Sequence, residues 1–144
     1  MRNKLEIFGR CYTTGCFEEL ESHLAENCKM TSYWVLETMC GKEQVFPYLL
    51  EKGKTLKKHN KCPQCTVVEL VRGGGANSLV RQEDGSFREA RVSIWHKNGD
   101  LALLMEQSQN GCVMVLLKLD ADGLIRKIDF TDPDFFCFRP LKKI

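Results

Sequence analysis

Apolar runs separated by turn residues are most regular between Arg88 and Phe130, where there are four: Arg88–His96, Leu101–Gln107, Cys112–Leu119 and Leu124–Phe130. Between them lie Lys97-Asn98-Gly99-Asp100, Ser108-Gln109-Asn110-Gly111 and Asp120-Ala121-Asp122-Gly123. Asn-Gly and Asp-Gly between apolar runs mark hairpin turns, because these residues tolerate the positive φ that tight turns need. The stretch predicts a four-stranded antiparallel meander. Two-residue loops would pair Ile94 with Leu103, Val92 with Met105, and Met105 with Leu116. A turn with Gly123 in the left-handed conformation would pair Asp120 with Leu124, Leu116 with Ile128 and Met114 with Phe130. One face then holds Val92, Ile94, His96, Leu101, Leu103, Met105, Gln107, Met114, Leu116, Ile128 and Phe130. The other holds Arg91, Trp95, Leu104, Glu106, Val115 and Leu117. Both are apolar enough to need covering, whereas a sheet wet on one side alternates cleanly.

Upstream, Leu5, Phe8 and Tyr12 fall at helical spacing and predict a helix over Asn3–Thr13, interrupted by Gly15. A second helix is expected over Phe17–Glu26, with Phe17, Leu20 and Leu24 inward and its acids near the N-terminus. Aromatic and β-branched content makes Cys28–Glu37 a strand. Gly41 opens a third helix, Lys42–Lys52, ended by Gly53; Pro47 inside it implies a kink or a later start. Cys65–Arg72 reads as a strand and Gly73-Gly74-Gly75 as a loop. Leu79–Gln82 begins a hairpin arm that continues past Asp84-Gly85 into the meander. Phe135, Phe136 and Phe138 are expected to dock the tail. The 144 residues form one domain, 1–144, in this reading.

A net charge of +2 does not by itself imply nucleic-acid or membrane binding. Lys52, Lys54, Lys57, Lys58 and Lys61 form a basic run, but no aromatics are interleaved to stack on bases, so it reads as a solvated helix end. No apolar run reaches membrane-spanning length, and Met1 to Phe8 lacks a secretory hydrophobic region. The eight cysteines are then reduced, mostly small core residues, in a cytoplasmic protein.

Candidate chemistry is sparse. His59, Cys62 and Cys65 supply half a zinc site, since a second close cysteine pair is missing. The glycine triplet lacks the Lys-Ser/Thr of a phosphate-binding loop. Neither a metal nor a cofactor is expected. His96 is the candidate general base, with Tyr12 or Ser32 as its polar partner. Phe8, Tyr12, Trp34, His96, Met105, Gln107, Met114 and Phe130 are the candidates to line an apolar pocket.

The order helix, glycine break, helix, strand, helix, meander resembles the nuclear transport factor 2-like superfamily, which includes ketosteroid isomerases and polyketide cyclases. The resemblance is carried by Tyr12-Thr13-Thr14-Gly15-Cys16-Phe17-Glu18-Glu19-Leu20, by Tyr33-Trp34 leading to Gly41, and by Asp122-Gly123-Leu124-Ile125 before Ile128-Asp129-Phe130. It implies an α+β cone: three N-terminal helices inside a strongly curved antiparallel sheet, with a pocket at the open end. It also implies a homodimer through the outer sheet face, here Arg91, Trp95, Leu104, Glu106, Val115 and Leu117. The isomerase-like members carry a tyrosine on the first helix where this chain has a residue near Phe8. Where they carry a carboxylate on the first strand, this chain offers Ser32 and Trp34, with Glu37 on the other face. The expected function is therefore a dimeric small-molecule-binding or scaffold module with an apolar pocket. The alternative is a cyclase, isomerase or dehydratase-like enzyme acting on an apolar small molecule.

Overall fold

The computed structural model describes residues 1–32, 35–72, 78–81, 83–90, 99–107 and 111–144. Helix α1 (Arg2–Thr14) buries Leu5, Phe8 and Tyr12, the stripe its spacing predicts. Gly15 ends it at φ 73, its N–H donating to the Cys11 carbonyl at 2.8 Å. A residue with a Cβ adopts that left-handed conformation only at a cost.

In place of a second α-helix over Phe17–Glu26, the chain makes a 3-10 helix, Glu18–His23, and enters strand β1 (Leu24–Ser32). Phe17, Leu20 and Leu24 are buried all the same. The spacing of three between Phe17 and Leu20 suits a three-residue turn as well as a 3.6-residue one, and Leu24 already belongs to β1, so periodicity over so short a stretch does not separate the two. The strand expected over Cys28–Glu37 is two strands. β2 (Val35–Cys40) pairs antiparallel with β1, Ser32 opposite Val35. Aromatic and β-branched propensity gave no break there, and no Gly or Pro punctuates the sequence.

Helix α2 (Lys42–Lys58) starts where expected but does not stop at Gly53, and it runs through Pro47 rather than starting after it. Its buried stripe is Val45, Leu49, Gly53 and Leu56. Pro47 is exposed, so the Glu43 carbonyl it leaves without an intrahelical donor faces water. The penalty of about 3 kcal/mol for an interior proline is offset by burial of the stripe, at roughly 1.5–3 kcal/mol per large apolar side chain.

The remaining strands are β3 (Gln64–Arg72), β4 (Ser78–Arg81), β5 (Phe87–Ala90), β6 (Leu101–Gln107), β7 (Gly111–Leu119), β8 (Ile125–Thr131) and β9 (Cys137–Lys143). Seven strands form one mixed sheet in the order β2-β1-β8-β7-β6-β3-β9. β1 lies parallel to β8, which corrects the all-antiparallel expectation. β4 and β5 pair only with each other among the described residues, as the hairpin around Asp84-Gly85. The edge of β6 expected to receive Arg88–His96 is occupied by β3, from Gln64 opposite Glu106 to Glu69 opposite Leu101. Residues 91–98, including Val92, Ile94 and His96, lie outside the described residues. The tail docks through its phenylalanines and also adds β9 to the sheet edge, a strand the sequence reading lacked.

The registers explain which side chains face inward. Gln107 pairs with Gly111, so Met105 faces Val113, not Leu116, and Leu103 faces Val115. That displacement is odd, and an odd displacement inverts the face of every residue on β7. The next turn forms as expected: Gly123 has φ 79, and the Asp120 carboxylate accepts from the N–H groups of Asp122 and Leu124 at 2.9 Å. A register shift between Lys118 and Leu119 then pairs Leu117 with Ile128 and Val115 with Phe130. The second odd displacement cancels the first. Ile128 and Phe130 keep the inner face, and β7 alone is inverted. Val115 and Leu117, expected on an outer dimer face, are buried in the inner core. Met114 and Leu116, expected inside, lie on the outer face.

Both helices pack on the inner face. Their buried residues form one cluster with Cys65, Val67, Leu103, Met105, Val115 and Leu117. The outer face has its own cluster, in which Phe135 and Phe136 cover Val68, Leu70, Ala102, Met114 and Leu116. These phenylalanines follow β8 through a 3-10 turn, Pro133–Phe135, whose first N–H groups are partly satisfied by the Asp132 carboxylate accepting from Asp134 at 2.9 Å. Among the described residues, no helix is long and apolar enough to cross a membrane.

Candidate functional site

The inner face does not close completely over α1 and α2. A cavity of about 190 Å³ remains between α1, α2, β1, β2, β6, β7 and β8. Its buried lining is Tyr12, Met30 and Met105; its partly exposed lining includes Met39, Val113 and Phe130. Polar lining comes from Thr31 and Ser32 at the end of β1, Gln107 at the end of β6, and Tyr48 and Lys52 on α2. Tyr48 and Lys52 are four apart and so share one side of the helix.

Size discriminates among ligands. A dry apolar cavity of about 150 Å³ accepts a benzene ring, while drug-sized ligands occupy about 300–1,000 Å³. The volume here lies nearer the first of these.

Tyr12 is the most constrained polar group in the lining. Its ring meets Phe8, Phe17 and Phe130 at centroid distances of 5.3, 4.9 and 6.3 Å. Edge and tilted contacts of this kind hold an aromatic ring in one orientation. The residue is 3% exposed, and its hydroxyl makes no hydrogen bond to another described residue. Burial pushes its pKa well above the ordinary phenol value, so the group is a neutral O–H donor. The Thr31 hydroxyl donates to the Asp129 carboxylate, which lies on the opposite sheet face with Lys127 3.6 Å away. That pair is turned away from the cavity.

Of the residues expected in a pocket, Tyr12, Met105, Gln107 and Phe130 line this cavity, and so does Ser32 from the candidate catalytic set. Phe8 does not: it is fully buried behind Tyr12. Met114 does not, because β7 is inverted and Met114 sits under Phe135 and Phe136. Trp34 and His96 lie outside the described residues, as do Arg91 and Trp95 of the expected dimer face. Leu104 and Glu106 are on the outer face, where that reading put them. Sequence reasoning missed Met30, Thr31, Met39, Tyr48, Lys52 and Val113. Met30 shares the strand face of Ser32 and was within reach of a period-two argument. Lys52 was hidden in the basic run.

Half a zinc site does not become a whole one. His59 is exposed at the end of α2, while Cys65 is fully buried on the inner face, its Cβ near Gly9 of α1. Burial pushes the Cys65 thiol up to about 12. Among the described residues, no group of three or more His, Cys, Asp or Glu side chains is placed to hold a metal ion.

No protein-family model matches the chain, and no curated protein matches its sequence. Solved structures match its fold. A SnoaL-like protein of unknown function from Burkholderia thailandensis superposes with a TM-score of 0.52 at 13% identity, over 95% of this chain and 97% of that one. An uncharacterised protein with a cystatin-like fold from Silicibacter pomeroyi gives 0.51 at 14% identity, over 97% of this chain and 76% of that one. At such identities the likeness speaks for architecture and not for chemistry. The chain shares the α+β fold of these SnoaL-like and cystatin-like structures.

Proposed function

We propose that the chain is a small-molecule-binding module whose ligand occupies the inner cavity and accepts a hydrogen bond from Tyr12. The observation that carries this reading is the buried Tyr12 hydroxyl, fixed by three aromatic neighbours and without a described protein partner. A buried donor left unsatisfied costs about 1–3 kcal/mol, a cost that a bound acceptor relieves. Tyr12→Phe should therefore leave the free protein as stable as wild type or more so, while weakening ligand binding about 3- to 10-fold. A thermal-shift screen of single-ring and short-chain compounds, repeated on Tyr12→Phe, tests it. A variant that loses stability and binds every hit as wild type does would refute the assignment.

A cyclase, isomerase or dehydratase needs a base at the reacting carbon. The described lining includes no carboxylate and no imidazole, which favours binding over catalysis. Self-association through the outer sheet face belongs to the same proposal. It is supported by Leu104 and Phe138, which are only partly buried there. Leu104→Glu should convert a dimer to a monomer in sedimentation equilibrium without unfolding it. A wild type that is monomeric at micromolar concentration removes this part.

A further inference from the structure

Resting on the pocket reading above, we infer that the ligand is an anion: a small apolar monocarboxylate whose head group pairs with the ammonium of Lys52 and whose body fills the apolar end of the cavity.

Lys52 is the one charged side chain among the described lining residues. It is half-buried and forms no ion pair with a described carboxylate. The acid beside it in sequence is engaged elsewhere, Glu51 pairing with Lys54 at 3.2 Å. The other polar side chains that line it include the Tyr12 and Tyr48 hydroxyls and the Gln107 amide, all able to donate, while the Thr31 hydroxyl is committed to Asp129. The described lining thus offers one cation and several donors, with no acceptor-only group. That set suits a ligand that accepts and carries negative charge, and an amine would meet no counter-charge in it. The buried end is Met30, Met105 and the Tyr12 ring, so the rest of the ligand is apolar. Benzene-sized occupants fit about 150 Å³, so about 190 Å³ holds a ring or short chain with its head group reaching Lys52.

The test pairs each acid with its uncharged amide of nearly the same shape: benzoate with benzamide, and hexanoate with hexanamide. Binding to wild type, Lys52→Gln and Tyr12→Phe is measured by isothermal titration at low salt. Wild type should prefer the acids by about 10-fold or more, the usual scale for a hydrogen bond to a charged group. In Lys52→Gln that preference should vanish, acid binding falling to the level of the amide; Tyr12→Phe should weaken acid and amide alike. Lys52 is partly exposed on α2, and its replacement by glutamine leaves the core intact. Amides that bind wild type as tightly as the acids would overturn the anion assignment and leave the pocket reading standing. Acid binding that survives in Lys52→Gln would also overturn it. If neither class binds at millimolar concentration, both the pocket reading and this inference fall.

Discussion

Gly53→Ala should destabilise the protein, although alanine is the better helix former. Gly53 lies inside α2, where alanine is favoured by about 1 kcal/mol when nothing else intervenes. Here the two glycines that flank the helix contact face each other. A Cβ on Gly53 would press into the Gly15 carbonyl oxygen and come within 2.7 Å of Phe17 Cδ2 and 3.0 Å of the Gly15 carbonyl carbon. Conversely, a Cβ on Gly15 would sit 2.9 Å from the Gly53 carbonyl oxygen. Backbone cannot swing aside as a flexible side-chain end does, so α2 has to move away from the end of α1. Overpacking of this kind costs about 1–3 kcal/mol, enough to reverse the propensity gain. Since Lys52 immediately precedes Gly53 and Tyr48 lies little more than a turn before it, the shift should loosen the cavity wall as well. Urea denaturation of Gly53→Ala beside wild type decides it. An equal or higher midpoint would mean that the helices do not approach through these glycines.

Gly53 also illustrates where sequence reasoning stops. A glycine followed by lysines reads as a helix end, because C-terminal Gly and basic last turns are common. The stripe Val45, Leu49, Gly53, Leu56 argues the opposite, but only once the helix is known to continue. Local chemistry was legible elsewhere: the Gly15 cap, the turn at Asp120–Gly123, and the apolar runs between turn residues that make β6, β7 and β8 strands. Long-range pairing was not. The turn around Asn110-Gly111 promised a two-residue loop, yet Gln107 pairs with Gly111, and this one choice inverted β7 and misplaced Met114, Val115 and Leu117. The partners of β6 and β1 were equally hidden, since neither β3 beside β6 nor the parallel β8 beside β1 follows from adjacency in sequence. For the cavity, the aromatic and methionine residues were readable as apolar. Which of them leave space, and that Lys52 reaches it, depends on how α2 packs.

Phe135→Ala is expected to cost about 3–5 kcal/mol, the range for truncating a buried phenylalanine. Total stabilities lie near 5–15 kcal/mol, so the variant should be marginal and its urea midpoint should fall sharply. The reason lies in the outer sheet face. Val68, Leu70, Ala102 and Met114 are fully buried and Leu116 nearly so, on a face where, among the described residues, no α-helix packs and Phe135 and Phe136 join them in one cluster. Phe135 itself is 4% exposed. Its removal leaves a hole over an apolar strip whose side chains are held by the sheet and cannot collapse to fill it. An uncovered strip of that kind is also an association surface, so the variant should sediment as larger species as concentration rises, more so than wild type. Stability and association together make the test specific. A core defect elsewhere would lower the urea midpoint without creating a new sticky face. A new face without loss of stability would mean that the phenylalanine only shields the strip and contributes little to the fold. If neither quantity moves, Phe135 is not the cover of this face, and the burial of Met114 and Leu116 has to come from another contact.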